Sequence, residues 1–275
     1  MENRGFELVL GHRSKLGKDW NLDLTANFDR VRNKVTNLPA AVVNAYGGDG
    51  MSQNILGRTV GSYFGHVADG LFKTQAEVDA HATQPGKGLG RIRYSDLNSD
   101  GVIDNNDKTW IGNPLPKFTY GFNANISYKN FDLSFLLQGV GSVDVINEAK
   151  YFTDFWSARE SSSNKGARLL NAWSPSNANS TIPAVALTDD NFEGRFSTYF
   201  IENGAYLKLR NAQLGYTFGQ NILSKLKVKS LRVYIGGDNL AILAKSKSFT
   251  GLDPESPAFG YPNPTVFTGG VNLRF

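Results

Sequence analysis

A stretch that alternates apolar with polar residues at every step reads as a β-strand with two unlike faces, because successive side chains of an extended chain point to opposite sides. Trp20, Leu22, Leu24, Ala26 and Phe28 alternate in this way with Asn21, Asp23, Thr25, Asn27 and Asp29. Phe118, Tyr120, Phe122, Ala124, Ile126 and Tyr128 do the same against Thr119, Gly121, Asn123, Asn125 and Ser127. After Lys129-Asn130 alone the pattern resumes with Phe131, Leu133, Phe135 and Leu137, which predicts a tight hairpin. Further strands are expected at 6–10, 206–218, 231–235 and 267–275. Within 206–218 the apolar parity changes between Leu209 and Ala212, so a bulge is expected near Arg210-Asn211. The expectation is an all-β chain of about seven antiparallel strands, and 29 glycines with 18 Phe, 11 Tyr and 4 Trp agree with it.

The connections alternate in length. Those at 14–19, 129–130 and 219–230 are short, whereas about 90 residues precede Phe118, about 70 precede Tyr206 and about 30 precede Phe267. Such regularity is expected of an up-and-down sheet that crosses a bilayer, with tight turns on one side and long extracellular loops on the other. The apolar faces run roughly 9 to 11 residues without a charge, the length a tilted strand needs to span. Aromatic residues near their ends, at Trp20 and Phe28, Phe118 and Tyr128, and Phe267 and Phe275, resemble interfacial girdles. The other reading is a secreted β-sandwich binding module, whose strands also alternate, although loops of this length are uncommon in one. No apolar segment is long enough for a spanning helix; the longest, 38–46, is short and contains Asn44. The opening residues carry no secretory signal, which taken alone points to the cytoplasm.

Function classes narrow by composition. Without cysteine there is no disulfide scaffold, thiol nucleophile or cysteine-held zinc. The net charge is +4, but 29 basic residues are scattered among 25 acidic ones, so nucleic-acid binding is not expected. His12, His66 and His81 sit in no nucleophile-elbow or metal-ligand spacing and read as surface or loop histidines; no catalytic residue is assigned. Gly86-Lys87-Gly88-Leu89-Gly90 lacks the dinucleotide spacing and reads as a flexible loop. Lys225, Lys227 and Lys229 crowd one short connection as a solvated turn, with contact to anionic lipid as the second reading.

Within the longest loop, 37–117, residues 96–107 have the spacing of a calcium loop. Asp96, Asn98, Asp100, the Val102 carbonyl, Asp104 and Asp107 would supply oxygens to Ca2+, Gly101 would allow the sharp turn, and Ile103 would pin the loop to a core. Asp107 stands where calcium loops carry Glu, which shortens the bidentate arm. The same residues equally suit an Asn/Asp/Gly turn whose carboxylates cap backbone amides.

Several segments, in order, resemble the C-terminal part of SusC/RagA-type TonB-dependent outer-membrane transporters. They are 61–72 (GSYFGHVADGLF), 93–104 (RYSDLNSDGVID) continuing through Ile111-Gly112-Asn113-Pro114 to Pro116 and Tyr120-Gly121, then Tyr199-Phe200-Ile201-Glu202 with 206–211 (YLKLRN), Leu231-Arg232-Val233-Tyr234 with Asn239-Leu240, and 251–255 (GLDPE). Arg91 departs from the family at a position commonly acidic, and Ser99 at one often glycine. The resemblance implies that residues 1–275 are the C-terminal portion of a plugged outer-membrane barrel of about 22 strands in a Gram-negative cell. It also implies import of oligosaccharides or peptides, energy from TonB, and a SusD-like lipoprotein as lid. Phe275, with Leu273 and Val271, looks like the terminal signal read by the outer-membrane assembly machinery. On this reading Met1 is internal to a longer protein or opens the product of a truncated gene, plug and export signal lie upstream in full-length members, and the fragment does not transport alone. Polar positions expected to face the lumen are Asp23, Asn27, Asn123 and Asn125.

Overall fold

The computed structural model describes residues 1–39, 53–156, 164–258 and 260–275, so most of the apolar 38–46 segment lies outside the described residues. In chain order the strands are β1 (Glu2–Leu16), β2 (Trp20–Lys34), β3 (Tyr63–His66), β4 (Ala68–Leu71), β5 (Ile92–Tyr94), β6 (Lys108–Gly112), β7 (Phe118–Tyr128), β8 (Phe131–Gly141), β9 (Asp144–Ile146), β10 (Ile201–Asn203), β11 (Tyr206–Thr217), β12 (Ser230–Lys245) and β13 (Val266–Arg274). Seven of them form one antiparallel sheet in the order β1-β2-β7-β8-β11-β12-β13. Their order in the sheet is their order in the chain, as an up-and-down meander requires. The expected opening strand at 6–10 proves longer, because it pairs with β2 along the whole of Glu2–Leu16. The expected bulge is present: register shifts between Leu209 and Asn211 on both sides of β11.

One face of this sheet is apolar and bare. Phe131 and Leu133 on β8, Leu214 on β11 and Ile235 on β12 are exposed, Ile235 at 66%, although all three strands are flanked on both sides. A β-sandwich would bury this face under a second sheet. Among the described residues the other sheets are three short pairs, β3 with β6, β4 with β5 and β9 with β10, and all lie within the long connections.

Aromatic residues mark both margins of the bare face. Trp20 and Tyr128 lie 4.4 Å apart, Phe131 and Tyr216 4.8 Å, and Tyr216 and Phe218 5.1 Å, all beside the short turns. Phe6, Phe28 and Phe118 stack at 5.8 and 5.5 Å toward the long loops. From Phe118 to Tyr128 is about 33 Å along the strand and about 25 Å once tilted, the height of the apolar band of a membrane barrel.

The buried core lies elsewhere. Leu71, Ile92, Tyr94, Ile103, Phe155 and Phe200 cluster together, and every one of them belongs to the long connections 35–117 and 142–205. The two loops therefore fold against each other on one end of the sheet. On the polar face the side chains pair across strands. The Asp132 carboxylate on β8 accepts from Arg232 on β12 (Nε, 2.9 Å) over the intervening β11. A Cβ at Gly215 of β11 would stand 2.4 Å from the Arg232 guanidinium, so only glycine leaves this ion pair its path.

Candidate functional site

Two surfaces are available for function: the polar face of the sheet and the loop assembly at its end. On the polar face Asp23 lies opposite Asn125 in the β2–β7 register, Asn123 opposite Thr25, and Asn27 opposite Gly121. The four sequence-selected positions thus form one patch. Asn27, Asn123 and Asn125 are exposed there, and Asp23 holds Arg13 (2.9 Å). The arrangement offers amide and carboxylate groups to a passing polar solute and contains no nucleophile–base pair.

Three buried polar locks fix the loops. The first joins the loop end of β11 to the connection between β12 and β13. Lys208 Nζ lies 2.6 and 2.8 Å from the Asp253 oxygens and 2.6 Å from Glu255 Oε2, while Arg210 binds Glu255 as well as Asn239 (2.9 Å). Burial works to raise both carboxyls, but the Lys208 ammonium together with the Glu255 amide and Asn263 at Asp253, and with Tyr206 and Arg210 at Glu255, holds them below their usual range. Three separate motifs, YLKLRN, Asn239-Leu240 and GLDPE, therefore meet at one charge cluster. In the second lock Glu202 accepts from Lys150 (2.8 Å), Asn147 (2.9 Å) and Thr250 (2.9 and 2.7 Å). Burial would raise the Glu202 carboxyl, but the Lys150 and Thr250 bonds pull it below the usual range. In the third, Gln84 donates to Ile92 O (2.8 Å) and Asn191 Oδ1 (2.6 Å), and buried Glu193 binds Arg91 (2.9 Å) and the Ile92 amide (3.0 Å). Arg91, which departs from the family pattern, so finds its counter-charge in the other long loop. Sequence reasoning missed all three locks, since their members are up to 107 positions apart.

The 96–107 segment is a self-capped turn. Asp96 accepts from the Ser99 and Gly101 amides (2.7 and 2.9 Å), Asn98 from Asp100 (3.0 Å), Asp100 from Val102 (2.9 Å), and Asp104 from Asn106 (2.6 Å). Asp107 is wholly buried and accepts from Leu97 and Asp104 (both 2.8 Å), tying the two ends together. Gly101 has φ +82° and Ser99 φ +60°, which accounts for the family's glycine at the latter. Ile103 sits in the loop core as expected. Among the described residues no three acidic or histidine side chains are gathered to hold a metal. The donors have the hard-oxygen chemistry of a calcium site but not, as arranged, its convergence.

The histidines divide. His12 is exposed on β1 and His81 lies 3.3 Å from Gln84, but His66, expected as a surface or loop histidine, lies in the long loop and is buried beside Tyr94 (5.7 Å) because the loops close over it. Burial, with the Arg195 and Lys108 charges adding to it, lowers its pKa from 6.5 to about 4. The unfolded chain then binds the proton first as pH falls. The stability carried by the neutral ring is complete above about 6.5 and lost as pH drops toward 4, at most about 3 kcal/mol. The expected outcome is lower hydrogen-exchange protection across β3 and β5, measured against the intrinsic rate at each pH, over that pH window, with His66→Gln removing the slope. Phe275 ends the exposed apolar row of β13 with Val271 and Leu273.

No family model matches the chain. It is 28% identical over 299 aligned positions to TonB-dependent receptor P3 of Formosa agariphila, which covers 100% of the chain and 29% of that receptor. Against TonB-dependent receptor SusC of Bacteroides thetaiotaomicron the identity is 31% over 284 positions, covering 100% of the chain and 26% of the receptor. The structure of the RagAB peptide importer in its closed-closed state superposes with a TM-score of 0.74 and 25% identity, over 99% of this chain and 29% of that one. The chain thus spans under a third of the length of the curated relatives it matches.

Proposed function

Since the chain belongs to the SusC/RagA-type TonB-dependent receptors and corresponds to a C-terminal part of one, we propose that it is the closing third of the barrel wall of an outer-membrane importer of peptides or oligosaccharides in a Gram-negative cell. The observation that carries this is the bare apolar sheet face bounded by two aromatic margins, which only hydrocarbon covers without cost. The edges β1 and β13 have no neighbour among the described residues, and their amides must pair with strands outside this chain for the sheet to sit in lipid. The Asp23, Asn27, Asn123 and Asn125 patch then lines the lumen, and the locked loops form the outer rim on which a SusD-like lipoprotein would close. Contact with TonB belongs to segments beyond this chain. Phe275 serves the outer-membrane assembly machinery. The role is transport, without a catalytic residue.

The test uses the full-length receptor in its own cell. Deletion of its gene abolishes uptake of one labelled class, peptide or oligosaccharide, re-expression restores it, and the protein fractionates with the outer membrane and migrates differently on gels before and after heating. Recovery as a detergent-free soluble monomer overturns the proposal.

Calcium at Asp96, Asn98, Asp100, Val102, Asp104 and Asp107 is a separate proposal, supported by donor chemistry and spacing. Its expected result is a melting temperature that rises with added calcium and no longer does so in Asp100→Ala. A melting temperature indifferent to calcium leaves those carboxylates to the turn alone.

A further inference from the structure

The short turns carry an excess of positive charge. Across 17–19, 129–130 and 218–229 the chain has Lys18, Lys129, Lys225, Lys227 and Lys229 against the single acid Asp19. No ion pair to any of the five lysines is found among the described residues. On the loop side Lys150, Lys208 and Arg91 are matched by carboxylates, whereas Lys73, Lys87, Lys108 and Lys117, like the turn lysines, have no ion pair among the described residues.

Three of the five lie in or beside the helix α1 (Gln220–Leu226) that joins β11 to β12. Its Leu223 is buried while Ile222 and Leu226 are exposed, and Lys225, Lys227 and Lys229 are exposed beside them. Lys227 ends the helix in the left-handed region (φ +55°), which turns the chain abruptly into β12 and keeps the three ammoniums within one short segment. Lys129 Nζ stands 5.3 Å over the Tyr128 ring, and Tyr128 meets Trp20 in the aromatic margin. Phe218, the residue just before the helix connection, belongs to the same margin. The unpaired lysines therefore sit where the apolar band ends, with two bare aliphatic side chains among them.

We infer that this rim binds anionic phospholipid of the leaflet facing the short turns, the lysines meeting the phosphate headgroups and Ile222 with Leu226 entering the acyl boundary. The inference rests on the membrane reading of the sheet. Its chemistry is that of a basic interfacial segment, in which apolar contact and headgroup attraction add. Continuity with the aromatic margin selects a lipid over a soluble anion, because the exposed apolar side chains and the charges share one short segment beside it.

The experiment reconstitutes the full-length receptor, and its Lys225→Gln, Lys227→Gln, Lys229→Gln variant, in phosphatidylcholine vesicles with and without phosphatidylglycerol. The lipid retained after mild detergent extraction is then counted by native mass spectrometry. The wild type is expected to enrich phosphatidylglycerol over phosphatidylcholine, less so at high salt, and the variant to lose about tenfold of that enrichment. Ile222→Ser with Leu226→Ser is expected to lower retention of both lipids. Insertion of both proteins with equal enrichment overturns the inference and leaves the barrel reading standing, as does a soluble acidic peptide that displaces phosphatidylglycerol from the wild type alone. Failure of the wild type to insert in either vesicle overturns the barrel reading, and this one with it.

Discussion

Ile235→Arg in the full-length receptor is expected to lower stability in the bilayer by about 2–4 kcal/mol, the penalty for arginine on the lipid side of a barrel strand near mid-membrane. The residue lies mid-strand in β12, between Leu214 of β11 and Gly269 of β13, and is 66% exposed. In water, a substitution at so exposed a position changes stability by about 0.5 kcal/mol or less. The two solvents thus give answers several-fold apart at one site. Urea titration of the folded barrel in vesicles, followed by the heat-sensitive gel band, measures it. A near-zero effect would mean that the bare face does not touch hydrocarbon. Gln213→Arg, one position over on the polar face, is the control and is expected to be nearly neutral.

Lys208→Met is expected to cost about 3–5 kcal/mol, because it removes one partner of a buried cluster and leaves the charges of Asp253 and Glu255 facing each other. The damage is local. The 246–265 connection loses its hold on β11, and proteolysis and hydrogen exchange there rise while the exchange of β7 and β8 is unchanged. Asp253→Asn added to the variant recovers part of the loss by removing one unpaired charge. In the wild type both carboxyls sit below their usual range, so their contribution is present above about pH 4 and is lost as pH falls through the lowered values. In Lys208→Met that acid-induced loss is smaller, since Arg210, Tyr206 and Asn263 still hold the carboxylates. A variant as stable as the wild type would reduce the cluster to a surface feature.

How far the sequence reaches is visible in particular residues. The parity change between Leu209 and Ala212 located the bulge, and Lys129-Asn130 located the tight hairpin, because strand periodicity and turn chemistry are local. The spacing at 96–107 located a turn and its Ile103 anchor, yet the same oxygens serve amides or a metal, and spacing alone does not choose. His66 was read as a surface or loop histidine; it lies in the long loop, but its burial was not legible. Nothing in the residues near it announces that Phe196 and Ser197, some 130 positions later, will close over it.

By itself, the chain's alternation determined the seven strands, their register-setting bulge and the existence of two unlike faces, since each follows from backbone geometry within a few residues. Only the tertiary structure decided that the apolar face stays uncovered, that the core forms among the loops, and that YLKLRN and GLDPE neutralise each other's charges. Those outcomes depend on contacts between segments far apart in sequence, whose energies come from burial and from charge pairing that no local pattern records.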